Sequence, residues 1–361
     1  MDERRRVFER LQQLQGNIRV VCRVRPAAQA APACVAIGSD AFETQPAASA
    51  AAGCVVAVRG GRGRCCLGGH DTRQVNAGGR KSVFEFDKVA ANLWSHMLRS
   101  PWPLQVFGAL SQEADVFKCV QPLLVSVLDG RNVCVMAYGQ TGRCGTAFAM
   151  QRATRNACCS GKTHTMEGGA SGAGVSMACA EELLRLAENR AGAGGVTYAV
   201  TASAYEIYND QIKDLLGDSE APPLQVHMQA DGRSCLPGLT QLPAPDTAAV
   251  RRVLQHVKQR RATARTNMNA SSSRSHTVVL IMCAGARDGQ PFVCGRLNLV
   301  DLAGSERLGR SGSDGDAVAL REAQAINGSL SALGDVMQAL ACRREHVPYR
   351  SVASEPYTLR R

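Results

Sequence analysis

The stretches NVCVMAYGQTG (residues 132–142) and SGKTHTMEG (residues 160–168) decide the fold of this chain. The apolar run at residues 133–137 predicts a buried strand, and Gly139 and Gly142 then predict a turn that no bulky residue could follow. The second stretch opens with the end of a phosphate-binding loop, Ser160, Gly161, Lys162 and Thr163. In such a loop backbone N–H groups surround a phosphate, the lysine reaches the β and γ oxygens, and the threonine hydroxyl binds Mg²⁺. The sequence therefore predicts a nucleoside triphosphate as the ligand.

The two halves of this loop are separated by residues 143–159. A complete loop reads GxxxxGK[ST], and joining the halves gives AYGQTGSGKTHTMEG, which matches in full. The alternative register counts back from Gly161 and places Asn156 at the first glycine position, giving NACCSGKT. Asparagine tolerates a left-handed backbone, but no predicted strand immediately precedes this register. Both registers stay open, and the strand and turn before GQTG favour the joined one.

Composition limits the class of protein and of partner. With 361 residues and 45% hydrophobic content, the chain can bury a sizeable core in one large domain or two smaller ones. No apolar run approaches the ~18 residues that a membrane span needs, and the N-terminal segment MDERRRVFER is too charged for a secretory signal. The fifteen cysteines lack CxxC spacing with partner histidines, which favours intracellular thiols over disulfides or a metal site. The net charge of +11 predicts an acidic partner: nucleic acid, an anionic membrane or an acidic protein surface.

Hydrophobic periodicity predicts an alternation of strands and helices around the phosphate loop. Helices are predicted at residues 1–15, 111–130, 175–189, 247–261 and 325–341, and strands at 17–26, 82–89, 133–137, 196–207, 277–285 and 296–304. Residues 27–79 are rich in Ala, Gly and Arg, which predicts peripheral strands and loops without catalytic or binding residues. The pattern predicts an α/β fold of the phosphate-loop NTPase type, with a mainly parallel central sheet and helices on both faces.

Two further polar clusters stand where a triphosphate-driven machine needs them. NMNASSSRSH (residues 267–276) crowds hydroxyls and an arginine before a strand, and DLAGSER (residues 301–307) follows a strand with an acidic residue and a glycine. Two loops that grip a γ-phosphate and relax after hydrolysis convert bond cleavage into motion. A third feature, RVRP at residues 23–26, ends a strand and either frames a base or is simply a solvated strand end.

Together these motifs resemble the kinesin motor domain. The matching stretches follow one another in family order over residues 16–350: GNIRVVCRVRP, FEFDKV, SQEADVF, NVCVMAYGQTG, SGKTHTMEG, YEIYNDQIKDLL, TNMNASSSRSH, LNLVDLAGSER, INGSLSALGDVMQAL and HVPYR. The charged helix before GNIRVVCRVRP resembles the C-terminal-motor kinesins, in which a coiled-coil neck precedes the motor. That group typically moves toward the microtubule minus end, although the sequence does not itself fix a direction. The predicted organisation is a neck at residues 1–15, a motor domain at 16–350 and a non-matching tail at 351–361.

The resemblance implies a set of site residues for ATP and Mg²⁺. The adenine would be lined by Arg23, Pro26 and His164. The phosphates and Mg²⁺ would be held by Gly139, Gln140, Thr141, Gly142, Ser160, Gly161, Lys162 and Thr163.

The resemblance also implies two switch regions that sense the γ-phosphate. The first would comprise Asn269, Ser272, Ser273 and Arg274, with Ser273 near Mg²⁺ and the attacking water. In the second, Asp301 would hold Mg²⁺ through water and Gly304 would sense the γ-phosphate. Arg274 and Glu306 would pair across the switches when the site closes, and so position water for in-line attack.

The implied partner is the microtubule. The helix at residues 326–340, HVPYR at 346–350 and nearby basic residues would meet the acidic filament through salt-sensitive contacts. Val7, Leu11 and Leu14 fit either a coiled coil, which would make a homodimer, or an ordinary amphipathic helix. We expect a protein of the cytoplasm and the microtubule cytoskeleton, without a membrane partner. A nucleic-acid partner is disfavoured because no aromatic residues are interleaved with the arginines.

Three segments depart from the family pattern: residues 90–105, residues 143–159 and the end of the chain. Closing the loop at 143–159 costs roughly 2.5 kcal/mol, and an excursion there threatens the N–H groups that grip the phosphate. After HVPYR the family continues with a helix, a strand inside the central sheet and a final helix, whereas this sequence reads SVASEPYTLRR. Because the strand would be missing from the sheet, we expect unpaired backbone groups in the core. One hypothesis, which the transcript sequence tests, is that these segments are translated intron sequence. The leading interpretation is an ATP-hydrolysing microtubule motor, and the alternative is a microtubule-binding module without ATPase activity.

Overall fold

The structure is a computed structural model that describes most of the elements named above. The described residues are 2–14, 18–24, 35–37, 42–44, 52–59, 72–77, 80–85, 106–107, 111–139, 161–169, 172–192, 195–229, 234–268, 274–304, 317–341 and 344–349. The departures at 90–105, 143–159 and 351–361 lie outside these residues.

The predicted helices are confirmed. Within the described residues the helices are α1 (Asp2–Leu14), α2 (Glu113–Leu128), α3 (Gly161–Glu167), α4 (Val175–Ala191), α5 (Thr247–Met268) and α6 (Ala317–Ala341). Helix α2 contains Pro122 and begins after Gln112, whose backbone N–H donates to the Asp115 carboxylate at 3.1 Å. This bond satisfies one of the N–H groups that the start of a helix leaves without a partner.

As far as the structure describes the chain, its strands form one large sheet and four small hairpins. They are β1 (Ile18–Val24), β2 (Val35–Ile37), β3 (Phe42–Thr44), β4 (Ala52–Arg59), β5 (Thr72–Ala77), β6 (Arg80–Glu85), β7 (Val106–Phe107), β8 (Val133–Gly139), β9 (Gly168–Gly169), β10 (Gly172–Ala173), β11 (Val196–Tyr208), β12 (Gln211–Asp214), β13 (His227–Met228), β14 (Ser234–Cys235), β15 (Leu242–Pro243), β16 (His276–Arg287) and β17 (Gln290–Asp301). The large sheet has the order β12-β11-β16-β17-β8-β4-β1-β7, and β15 pairs with β11.

The α/β class is confirmed, but the sheet is mixed where we predicted a mainly parallel one. Among the described pairs of the large sheet, only β17 with β8 and β1 with β7 run parallel. Part of the physical reason is that two of the antiparallel pairs are tight hairpins: β11–β12 turns through Asn209 and Asp210, and β16–β17 turns through Asp288 and Gly289. All four turn residues have positive φ angles, which matches the twist of a two-residue antiparallel connection.

Two hydrophobic cores lie on opposite faces of the sheet, as the prediction of helices on both faces requires. On β16, Val279 and Ile281 pack with α2, α4 and α5, whereas Val278 and Leu280 pack with α6. This alternation follows from the two-residue period of a strand that is covered on both faces.

Strand β4 corrects two of our expectations. We assigned residues 27–79 to the periphery, yet β4 lies inside the large sheet and pairs antiparallel with both β1 and β8. We also expected unpaired backbone groups in the core, whereas in the described part of the large sheet β4 supplies partners for seven residues of β8 and seven of β1. A valine-rich strand fits this position because a central strand must be apolar on both faces and must satisfy two neighbours.

Among the helices described here, none is long and apolar enough to cross a membrane.

Candidate nucleotide site

The described ends of the two halves of the predicted phosphate loop, Gly139 on one side and Gly161–Thr163 on the other, lie next to each other. Gly139 ends β8 and Gly161 begins α3. The buried Lys162 ammonium donates to the Gly139 carbonyl at 2.7 Å. The structure thus places a strand end and a helix start against each other on either side of residues 140–160, as the joined register requires. Gln140, Thr141, Gly142 and Ser160, with Asn156 of the alternative register, lie outside the described residues.

Thr163 and Asp301 also meet. The Thr163 hydroxyl donates to Asp301 Oδ2 at 2.7 Å, and Asp301 ends β17, which runs parallel to β8. The other carboxylate oxygen, Asp301 Oδ1, is buried and has no hydrogen-bond partner among the described residues. A hydroxyl beside a carboxylate with a spare oxygen suits the oxygen-rich, partly hydrated coordination that Mg²⁺ prefers. These residues therefore fit a magnesium ion, while Ser273 lies outside the described residues.

A buried arginine of helix α5 connects the carboxylates of the site. The Arg261 side chain is 6% exposed, and its Nη1 lies 3.1 Å from Glu167 Oε1 and 3.5 Å from Asp301 Oδ2. Its Nε lies 3.8 Å from Glu206, which accepts a hydrogen bond from the Ser275 hydroxyl at 2.5 Å. Burial raises the pKa of Glu167 and Asp301 acts in the same direction, while Arg261 opposes both. The guanidinium thus holds three partly buried carboxylates together at the base of α3.

Arg23 and His164 both contact Glu113, the first residue of α2. Arg23 donates to the Thr165 hydroxyl at 2.7 Å, to the Ser111 carbonyl at 3.0 Å and to Glu113 at 2.9 Å. His164 Nδ1 lies 2.8 Å from the same Glu113 oxygen. The structure brings two of the three predicted base-lining residues together, and Pro26 lies outside the described residues. Although burial raises the pKa of Glu113, its backbone hydrogen bond and Arg23 lower it overall, so Glu113 is a carboxylate that anchors both side chains.

Arg274 is paired with a residue of α6. Its guanidinium contacts the Glu322 carboxylate, which also accepts a hydrogen bond from the Tyr208 hydroxyl. Burial of the Tyr208 hydroxyl raises its pKa to about 12, and the buried Glu322 carboxylate acts in the same direction. Asn269, Ser272 and Glu306, the predicted partner of Arg274 in a closed site, lie outside the described residues. In this structure Arg274 therefore links the start of β16 to α6.

His276, at the start of β16, contacts the second predicted switch. The Ala303 backbone N–H donates to His276 Nδ1 at 3.2 Å, and Gly304, the next residue, is buried. Burial lowers the pKa of His276 from 6.5 to about 4, and the nearby Lys162 ammonium acts in the same direction. The imidazole is therefore neutral at physiological pH.

This shift predicts a pH dependence of stability. Between pH 6.5 and about 4 the unfolded chain protonates His276 and the folded chain does not. Because the unfolded state then binds more protons, the free energy of unfolding falls as the pH falls, by about 3 kcal/mol over the full interval. Denaturant unfolding of the unmodified chain and of His276→Asn at several pH values measures this contribution as the difference between the two curves. Curves that stay parallel across the interval would contradict it.

Sequence reasoning missed the residues that connect the site: Glu113, Glu167, Glu206, Arg261, His276 and Glu322. For Arg261 a signal was present, because it continues the buried seam of Val250, Val253 and Val257 at helical spacing. A charged residue on an apolar seam indicates a buried ion pair. Glu322 lies on the same face of α6 as Leu333 and Val336 and carries the same signal.

These features define the class of the protein, an α/β nucleotide-binding domain of the phosphate-loop NTPase type with a mixed sheet. A model of one family, the kinesin motor domain, matches residues 68–353. The chain belongs to the kinesin motor domain family.

Relatives and solved structures of the same family are similar to the chain along most of its length. It is 36% identical to the kinesin-like protein KIN-14E of Oryza sativa subsp. japonica over 97% of this chain and 27% of that protein. It is also 36% identical to the kinesin-like protein KIN-14P of Arabidopsis thaliana, over 97% of this chain and 29% of that protein. The chain thus spans less than a third of the length of these relatives.

Two solved structures show the same fold. The C-terminal motor and motor homology domain of Kar3Vik1, fused to a synthetic coiled coil, matches with a TM-score of 0.67 and 28% identity over 98% of this chain and 78% of that one. The Kar3 motor domain of Saccharomyces cerevisiae matches with a TM-score of 0.60 and 28% identity over 92% of this chain and 85% of that one.

Proposed function

We propose that the chain is an ATP-driven microtubule motor of the kinesin type, which couples ATP hydrolysis to movement along microtubules. The observation that carries the proposal is a pair of contacts: Lys162 reaches Gly139 across the interrupted loop, and Thr163 donates to Asp301. The Lys162 ammonium would turn from the Gly139 carbonyl to the β and γ oxygens of ATP. Family membership supports the proposal.

The chain's own residues would hold and position the reactants. Thr163 and Asp301 would hold Mg²⁺ with Ser273, and the bound ion would neutralise charge that develops on the phosphates. Arg261 would keep Asp301 beside Thr163, because its guanidinium lies 3.5 Å from the Asp301 carboxylate. Arg23 and His164 would line the adenine, held in place by Glu113. The remaining loop and switch residues, Pro26, Gln140, Thr141, Gly142, Ser160, Asn269, Ser272, Gly304 and Glu306, would complete the site.

The switches would communicate with the filament through helix α6. In this structure Arg274 is held by Glu322, and pairing with Glu306 would require it to leave α6. If the Arg274–Glu322 ion pair exists in only one conformational state, a contact at the γ-phosphate changes the population of that state and so the conformation of a distant surface. Helix α6 and residues 346–350 would form that surface, and the basic chain would meet the acidic filament.

The N-terminal helix would serve as a coiled-coil neck, and two exposed apolar side chains support this role. Val7 and Leu11 are 64% and 39% exposed. On another side of α1, Glu9 pairs with Arg131, and Arg5 donates to the Asp129 carbonyl. The helix would thus rest on the motor and present its apolar seam to a second copy, which would make a homodimer. The expected location is the microtubule cytoskeleton in the cytoplasm.

Steady-state phosphate release from purified chain, with and without microtubules, tests the proposal. We expect microtubules to stimulate release, and rising NaCl between about 50 and 200 mM to weaken the stimulation because exposed charges are screened. Co-sedimentation under the same conditions measures binding separately. Salt-sensitive co-sedimentation without phosphate release would instead identify a microtubule-binding module that does not hydrolyse ATP.

A further inference from the structure

A buried histidine bridges the second switch and the helix proposed to face the filament. The Ala303 N–H donates to His276 Nδ1, so that nitrogen carries a lone pair and the ring proton is on Nε2. His276 Nε2 then donates to the Ser329 hydroxyl oxygen at 2.9 Å. The Ser329 hydroxyl donates in turn to the Ile326 carbonyl at 2.8 Å. Each donor thus has one acceptor, and the chain of bonds runs from the Ala303 amide into α6.

The two ends of this series of hydrogen bonds lie in the elements that a motor must couple. Ala303 precedes Gly304, the predicted γ-phosphate sensor, while Ser329 and Ile326 belong to α6. His276 is 4% exposed, so water cannot readily replace a bond that the ring loses. If the Ala303 amide moves with the switch, Nδ1 is left without its donor unless the ring and Ser329 move too.

We propose that His276 is a positioning residue that transmits movement of the Ala303–Gly304 segment to α6 through Ser329, so that the bound nucleotide sets the affinity for microtubules. The inference rests on the proposed motor function and adds the route by which nucleotide and filament sites are coupled. It predicts a coupling effect, because a link between two sites changes the ratio of affinities in two nucleotide states. A residue that only supports the fold would change both affinities by a similar factor.

Two variants break the same bond from opposite ends. His276→Asn keeps an acceptor near Nδ1 but has no donor that reaches Ser329, and Ser329→Ala removes the acceptor of the ring. The measurement is the microtubule dissociation constant by co-sedimentation, with ADP and with a non-hydrolysable ATP analogue. We divide the larger of the two dissociation constants by the smaller, and expect this ratio to fall about fivefold in each variant. In the double variant it should fall little further, because both substitutions act on one bond.

Ser219→Ala is the matched control, since Ser219 is an exposed serine in the turn after β12 and lies outside α6. It is expected to leave the ratio at the value of the unmodified chain. The inference is overturned if His276→Asn and Ser329→Ala keep that ratio, or if they weaken binding equally with both nucleotides. It also fails if the unmodified chain does not bind microtubules, and that result would overturn the proposed function as well.

Discussion

Lys162→Met is expected to lower microtubule-stimulated phosphate release by at least about 100-fold, the usual effect of removing a charge that stabilises a transition state. Lys162 is 3% exposed and reaches the Gly139 carbonyl, so it lies between the two halves of the loop. Methionine keeps most of the apolar stem and removes the ammonium that would contact the phosphates. The measurement is the steady-state rate of phosphate release at saturating microtubules.

Lys213→Met is the matched control, because Lys213 is exposed on the edge strand β12 and should leave the rate nearly unchanged. Circular dichroism establishes that both variants are folded. A folded Lys162→Met protein with a rate within tenfold of the unmodified chain would show that this lysine does not act on phosphate. Because both registers of the loop contain Lys162, this result would contradict a phosphate loop ending at residues 160–163 in either register.

Arg261→Met is expected to have the largest effect on stability. The substitution leaves Glu167, Glu206 and Asp301 without the buried guanidinium that lies among them. Removing one partner of a buried ionic group typically costs about 3–5 kcal/mol, because the remaining charges stay desolvated and repel each other. Urea unfolding, followed by circular dichroism, gives the change in the free energy of unfolding.

The same helix offers a matched control for this prediction. Arg251 pairs with Glu181 at 3.2 Å, and both side chains are at least 40% exposed. Exposed pairs of this kind contribute at most about 1 kcal/mol, so Arg251→Met should unfold close to the unmodified chain. Equal losses in the two variants would mean that the charge of α5, and not the buried network around Arg261, determines stability.

The sequence predicted the parts of the site that local motifs encode. SGKT and DLAG each sit at the end of a predictable strand or the start of a helix, so Lys162, Thr163 and Asp301 could be named before their contacts were known. The turn of the β16–β17 hairpin was equally visible, since Asp-Gly between apolar runs is a strong hairpin signal. Reading that signal at residues 288–289 would have argued against a mainly parallel sheet.

Other features could not be predicted because they depend on tertiary pairing. The valine-rich run that forms β4 can pair with any strand edge, and its alternation does not say that it lies between β1 and β8. Glu113 reads as an acidic residue in the first turn of a helix, and only the fold brings it to Arg23 and His164. The same holds for Glu322, whose partners Tyr208 and Arg274 are 114 and 48 residues away along the chain.

We propose that the strand ending at Gly139 and the helix starting at Gly161 form one ATP site despite the residues between them. Equilibrium titration with fluorescently labelled ATP tests this most directly, on the unmodified chain and on a variant that lacks residues 143–159. We predict that both proteins bind one labelled ATP per chain, that binding requires Mg²⁺, and that unlabelled ATP competes. Binding by the deletion variant alone, or by neither protein, would contradict the claim.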